Sequence, residues 1–164
     1  MSQPVISVPK TRFDYILIGL GWLGVFIMAL LLLLYQHKLP DTIPTHFNAQ
    51  GVPDDTGDKS TLYFLVLVGT AVFVIIHLVN RTPHLANFSV PITPENAEQQ
   101  YQNFQRMNRA VAAIIALCLA YIHYAIIQMS LGERDGLGLW FGLLFIALIF
   151  GTIGYYLYRA HTIE

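Results

Sequence analysis

Charge is missing from four long stretches of this 164-residue sequence. Residues 15–35, 61–80, 110–131 and 137–158 contain no lysine, arginine, aspartate or glutamate. A helix rises ~1.5 Å per residue, so each stretch of about 20 residues covers ~30 Å, the hydrocarbon thickness of a bilayer. A surface helix of a water-soluble protein carries charge along one face, and these have none to carry. The sequence therefore reads as all-α, a polytopic membrane bundle of four transmembrane helices whose main partner is the lipid bilayer.

Cysteine is nearly absent as well. Cys118 stands alone inside the third stretch, which excludes an intrachain disulfide and predicts a small, apolar packing role. A net charge of −1 leaves no basic surface for nucleic acid. The sequence has no G-x-S-x-G, no H-E-x-x-H, no P-loop and no glycine-rich nucleotide fingerprint, so nucleophilic and nucleotide chemistry find no support. No span holds an acid that would serve an ion or proton relay. No cofactor and no metal are expected. There is no internal repeat and no low-complexity tract, and the connections are too short for a separate soluble core. One integral membrane domain over 1–164 is expected.

What charge there is has a side. Lys10, Arg12, Arg81, Arg106, Arg109 and Arg159 fall on one side of the predicted spans, against Lys38, Lys59 and Arg134 on the other. The positive bias predicts a multi-pass protein of the bacterial cytoplasmic (inner) membrane with both termini in the cytoplasm. The acids Asp41, Asp54, Asp55, Asp58, Glu133 and Asp135 lie on the outer side. Phe13, Tyr15, Tyr155, Tyr156 and Tyr158 mark the inner interface; Tyr35, Tyr63, Phe64 and Trp140 mark the outer one. The first span is longer than the ~7–15-residue core of a cleaved signal and lacks a small-x-small site after it, so it reads as a retained anchor.

The outer connection, 36–60, contains Pro40, Pro44 and Pro53, which exclude a regular helix and predict an ordered or semi-ordered cap. Residues 132–136 form a tight outer turn that makes the last two spans antiparallel neighbours. The inner connection, 81–109, begins extended. Thr93-Pro94-Glu95 then reads as a helix start, with Ala97, Tyr101, Phe104, Met107 and Val111 at helical spacing and Gln and Asn on the opposite face. An interfacial helix from Pro94 is expected to run unbroken into the third span, about 38 residues or ~57 Å. Gly21 and Gly24 in the first span, and Gly138, Gly142, Ala147 and Gly151 in the fourth, are predicted contacts within the bundle, with an oligomer through Gly138 and Gly142 as the alternative use.

The densest polar grouping lies in the outer connection: Pro40-x-x-Ile43-Pro44-x-His46-Phe47-Asn48-x-x-Gly51-x-Pro53-Asp54, with Lys59 just before the second span. This pattern resembles the bacterial domain of unknown function found at the N-terminus of SdpI-type immunity proteins. A second stretch, Asn87-Phe88-x-Val90-Pro91-Ile92-Thr93-Pro94-Glu95-Asn96 with Tyr101 and Met107, is similar to short, four-span members. The resemblance implies a polytopic membrane protein, carries His46, Asn48, Gly51, Pro53, Asp54 and Lys59 over as motif residues, and points to a sensor or immunity-like role against a peptide.

An imidazole, an amide and a carboxylate at a water–membrane boundary suit binding of a peptide, a metal or a lipid headgroup, and His46 titrates near neutral pH. The same residues suit a purely structural turn, with Asn48 and Asp54 satisfying turn amides, Gly51 at positive φ and Pro53 fixing the chain. Asp54, Thr56, Asp58 and Ser60 alternate oxygen donors, but Lys59 and Leu65 stand where an EF-hand needs Gly and Glu. One histidine with acids is an incomplete zinc set. Within the spans, His77 is expected to snorkel toward Asn80 and Arg81. His123, with Tyr124 and Gln128 (and Tyr121), makes the outer half of span three polar: either an outward-open pocket or hydrogen bonds between helices. The candidate ligand-binding set is His46, Asn48, Asp54, Lys59, His123, Tyr124 and Gln128. The leading function is a non-enzymatic binding module recognising a peptide or membrane partner through the outer loop. The alternatives are a membrane-boundary enzyme using His46 and Asp54, and a structural subunit of a membrane complex.

Overall fold

The computed structural model describes residues 3–163; the expected domain, 1–164, extends beyond them by Met1, Ser2 and Glu164. Four helices are long and apolar enough to cross a bilayer: α1 (Arg12–Tyr35), α2 (Thr61–Val79), α3 (Ala97–Ser130) and α4 (Leu139–Thr162). Between α1 and α2 the chain forms an antiparallel hairpin, β1 (Thr42–Phe47) and β2 (Pro53–Asp58). The helices lie within four residues of the predicted spans at each end, apart from the N-terminal extension of α3. Their outward faces carry large apolar side chains such as Leu33, Phe64, Leu143 and Phe150, which lipid, and not water, accommodates.

The central element is α3, which packs against α1, α2 and α4. Its alanines Ala112, Ala116 and Ala120 recur every fourth residue, line one face and are buried with Val25, Met28 and Phe73. Small side chains there bring α1 close to α3. A second apolar cluster, built on Leu32, Leu62, Ile126 and Ile127, closes the hairpin end of the bundle and takes in Ile43 of β1.

The long helix starts later than the sequence suggests. Residues 94–96 form a turn and α3 begins at Ala97. Thr93 and Asn96 exchange side-chain bonds across that turn: the Thr93 N–H donates to Asn96 Oδ1 (3.0 Å), and the Asn96 N–H to Thr93 Oγ1 (3.4 Å). The Gln/Asn face of α3 is also no open polar face. Gln100, Asn103 and Gln105 are buried. They donate to main-chain carbonyls of Ala160 (2.8 Å), Tyr156 (2.8 Å) and Asn80 (2.9 Å). The carbonyls of Ala160 and Asn80 lie at helix ends, where no intrahelical donor reaches them, and the amides supply it.

In α4 the glycines do not do what their spacing suggests. Gly142 and Gly151 have nothing within 4 Å of the position a Cβ would take, and almost none of the helix is buried. The predicted bundle contact through these two residues is therefore not made. Gly21 and Gly24 of α1, by contrast, sit against Phe73 and the Ala116 backbone.

Candidate functional site

The hairpin is held from both ends. At its root, Ile43 is 1% exposed and inserts among Leu32, Leu62 and Ile127. At its tip, Asn48 Oδ1 accepts the N–H groups of Gln50 and Val52 (3.0 Å each), and Gly51 adopts φ +76°, a region other residues enter at a cost. The Gly51 carbonyl accepts the Leu137 N–H at 2.7 Å, and a Cβ on Gly136 would lie 2.5 Å from that oxygen. The cap expected over 36–60 is thus a β-hairpin clamped to the α3–α4 turn. Its register breaks around His46, between Pro44 and Phe47, where proline removes a ladder donor and the strand bulges.

On this frame His46 Nδ1 meets Asp54 Oδ1 at 2.5 Å, with the two side chains 69% and 43% exposed. The hydrogen bond to Asp54, and then its charge, raise the His46 pKa above the ordinary histidine value. Lys59 pairs instead with Asp41, at 2.8 Å, and that hydrogen bond raises the lysine's pKa. Because His46 is more basic folded than unfolded, the pair's contribution is complete below about pH 6.5 and is lost as pH rises through the folded value. NMR titration of the ring should give a midpoint above 6.5, and Asp54→Asn should bring it back. An unchanged midpoint in D54N would show that Asp54 is not the cause.

The remaining predicted residues are not gathered with this pair. His123 is fully buried in α3, with no hydrogen-bond partner for either ring nitrogen among the described residues. The bond between helices, one of its two readings, is therefore not formed, and its burial sets it apart from an outward-open pocket. Tyr124 is exposed on the bundle surface and Gln128 is half-buried. Successive helical residues diverge by ~100°, so Tyr124 and Gln128, four apart, share a side that His123 does not. Tyr121 turns to the α3–α4 connection, where its hydroxyl donates to the Leu137 carbonyl at 2.6 Å. His77 does not snorkel freely, since its Nδ1 is 3.1 Å from the Phe73 carbonyl.

The opposite end of the bundle holds a polar network that the span pattern hides. Asp14 lies in the first turn of α1 and is completely buried, so one helix does carry an acid. Its carboxylate accepts the Thr11 N–H and hydroxyl (2.8 Å each), Arg109 Nη1 at 2.7 Å and Arg106 Nε at 3.4 Å. Arg109 also donates to Gln105, and Gln105 and Asn80 bond each other's main-chain carbonyls. Beside this network lies a cavity of about 610 Å³, bounded by residues 5–10, the end of α2, the 3-10 turn Pro83–Leu85 and α3. The signal for it was present: Asp14 three residues after Thr11 is a helix-start pairing, and Arg106 and Arg109 at helical spacing put two cations on one side of α3.

Comparison with known proteins bears on the hairpin end. Residues 23–70 match the family model of a domain of unknown function, DUF1648. An uncharacterised protein of Archaeoglobus fulgidus is 34% identical over 87 residues, covering 48% of this chain and 48% of its own length. The chain thus spans about half the length of that relative. No solved structure matches. The family match takes in the second half of α1, the whole hairpin and the first half of α2, and so includes His46, Asn48, Asp54 and Lys59. Asp14, Arg109, His123 and the whole of the cavity lining lie outside it.

Proposed function

We propose that this multi-pass membrane protein is a single-domain, non-catalytic binding module that recognises a peptide or a membrane-protein partner through its hairpin. The observation that carries this reading is a contrast: the hairpin is clamped at root and tip, while its His46–Asp54 pair faces outward. An exposed ion pair is screened by solvent and contributes little to a fold. Its value to stability is small, whereas a preorganised imidazole and carboxylate on a rigid support lower the ordering cost of binding. The arginine and lysine bias supports an orientation in a prokaryotic cytoplasmic membrane with the hairpin outside and both chain ends in the cytoplasm. The resemblance of the hairpin motif to SdpI-type immunity proteins supports a secreted or membrane-bound peptide as the partner.

His46→Ala and Asp54→Ala should each reduce crosslinked capture of the partner from native membranes by about tenfold, the loss of one charge-assisted contact. Membrane insertion should be unaffected, because neither side chain is in the core. Capture unchanged in both variants would remove the hairpin pair as the recognition element.

A further inference from the structure

The cavity at the opposite end carries a second site, independent of the hairpin reading. Its lining includes Lys10, Arg81, Arg109, His77 and His84 and, among the described residues, contains no aspartate or glutamate. Lys10 and Arg81 are exposed and make no ion pair among the described residues. Arg109 has Asp14 behind it, but that single carboxylate serves two guanidiniums, Arg109 and Arg106, so the triad keeps one positive charge. His77 lines the same space; its Nδ1 is committed to the Phe73 carbonyl, and its buried Nε2 has no partner among the described residues. The carbonyls at the end of α2, which would repel an anion, are largely met: Asn80's takes Gln105, and Leu78's takes the Arg81 N–H.

Cations converging on a cavity without acids select an oxyanion, and several donors around one centre suit the multiple oxygens of a phosphoryl group. The cavity lies where the helices leave the apolar layer, and its edge carries Val5, 76% exposed, and Ile6. Basic residues beside apolar ones at this depth fit a headgroup with its chains alongside. We propose that this cavity binds a phosphoryl group, brought on an anionic phospholipid headgroup or on free phosphate, with Lys10, Arg81 and Arg109 as the charge partners and His77 Nε2 as a hydrogen-bond partner.

The test uses the full chain in neutral maltoside detergent, titrated with short-chain phosphatidylglycerol, short-chain phosphatidylcholine and inorganic phosphate. Wild type should bind phosphatidylglycerol in preference to phosphatidylcholine, or bind inorganic phosphate. K10Q/R81Q should weaken that binding about tenfold or more, from about 1 kcal/mol per cation. The control R12Q/R159Q removes the same charge from the same end, outside the cavity, and should change it by less than about twofold. Phosphatidylglycerol binding that phosphate does not compete identifies the headgroup as the source; binding of phosphate alone identifies the solute. Binding of neither, or equal losses in the two double variants, would overturn the site.

Discussion

Asp14→Ala is expected to destabilise the protein by about 3–5 kcal/mol, the cost of leaving a buried charge without its partner. Asp14 is 0% exposed and Arg109 3%. Removing the carboxylate strands the Arg109 guanidinium, whose other bond is to neutral Gln105 at 3.3 Å. Arg106 suffers less, because its side chain is 17% exposed and it also donates to Thr11 at 3.0 Å. The same substitution takes away the acceptor for the Thr11 N–H and hydroxyl at the start of α1, which adds roughly 1 kcal/mol for a lost cap. Asp14→Leu combined with Arg109→Met should recover most of the loss, since a well-packed apolar pair often equals a buried ion pair. Unfolding in mixed micelles, followed by circular dichroism, measures both. A loss under about 1 kcal/mol in Asp14→Ala would mean that water reaches Arg109 and that the network does not hold α1 to α3.

The contrast between this network and the spans shows what a sequence displays and what it conceals. Four uncharged stretches have one physical solution in lipid, because helices satisfy their own backbone polar groups; residue identity inside the stretches hardly matters. The hairpin was visible only as something ordered. Pro44, Pro53 and Gly57 argue against strands, and strands form because Ile43 finds a buried seat and Asn48 and Gly51 close the turn. Within the candidate site, His46 takes Asp54 across the hairpin, whereas Lys59 goes to Asp41 because β1 begins beside the end of β2. Asp14 stayed hidden because it sits at the edge of a span, where an acid reads as solvated. Its burial depends on Arg106 and Arg109, more than 90 residues away in the chain. Composition windows see neighbours in sequence, and a buried ion pair is a fact about neighbours in space.

The second large effect is steric. A Cβ on Gly24 would lie 2.6 Å from the Ala116 carbonyl carbon, 2.7 Å from its oxygen and 2.9 Å from the Leu117 nitrogen. These are backbone atoms of α3, and no rotamer change moves them. Gly24→Ala must therefore push α1 and α3 apart along the Ala112–Ala116–Ala120 stripe, loosening the contacts of Val25 and Met28. The expected loss is roughly 2–3 kcal/mol, the upper part of the range for overpacking. Gly24→Leu should prevent α1 from docking at all, since lipid solvates the separated helices as well as their partners do. Gly142→Ala is the internal comparison. It adds the same methyl where nothing among the described residues lies within 4 Å, so the isolated chain should lose no stability and should gain up to about 1 kcal/mol from the better helix former. Measured side by side in detergent, Gly24→Ala must fall well below Gly142→Ala; equal stability would contradict the close approach of α1 and α3. If Gly142→Ala is tolerated in monomer-forming detergent but costly in bilayers, the face of α4 around Gly142 is packed there against a second helix.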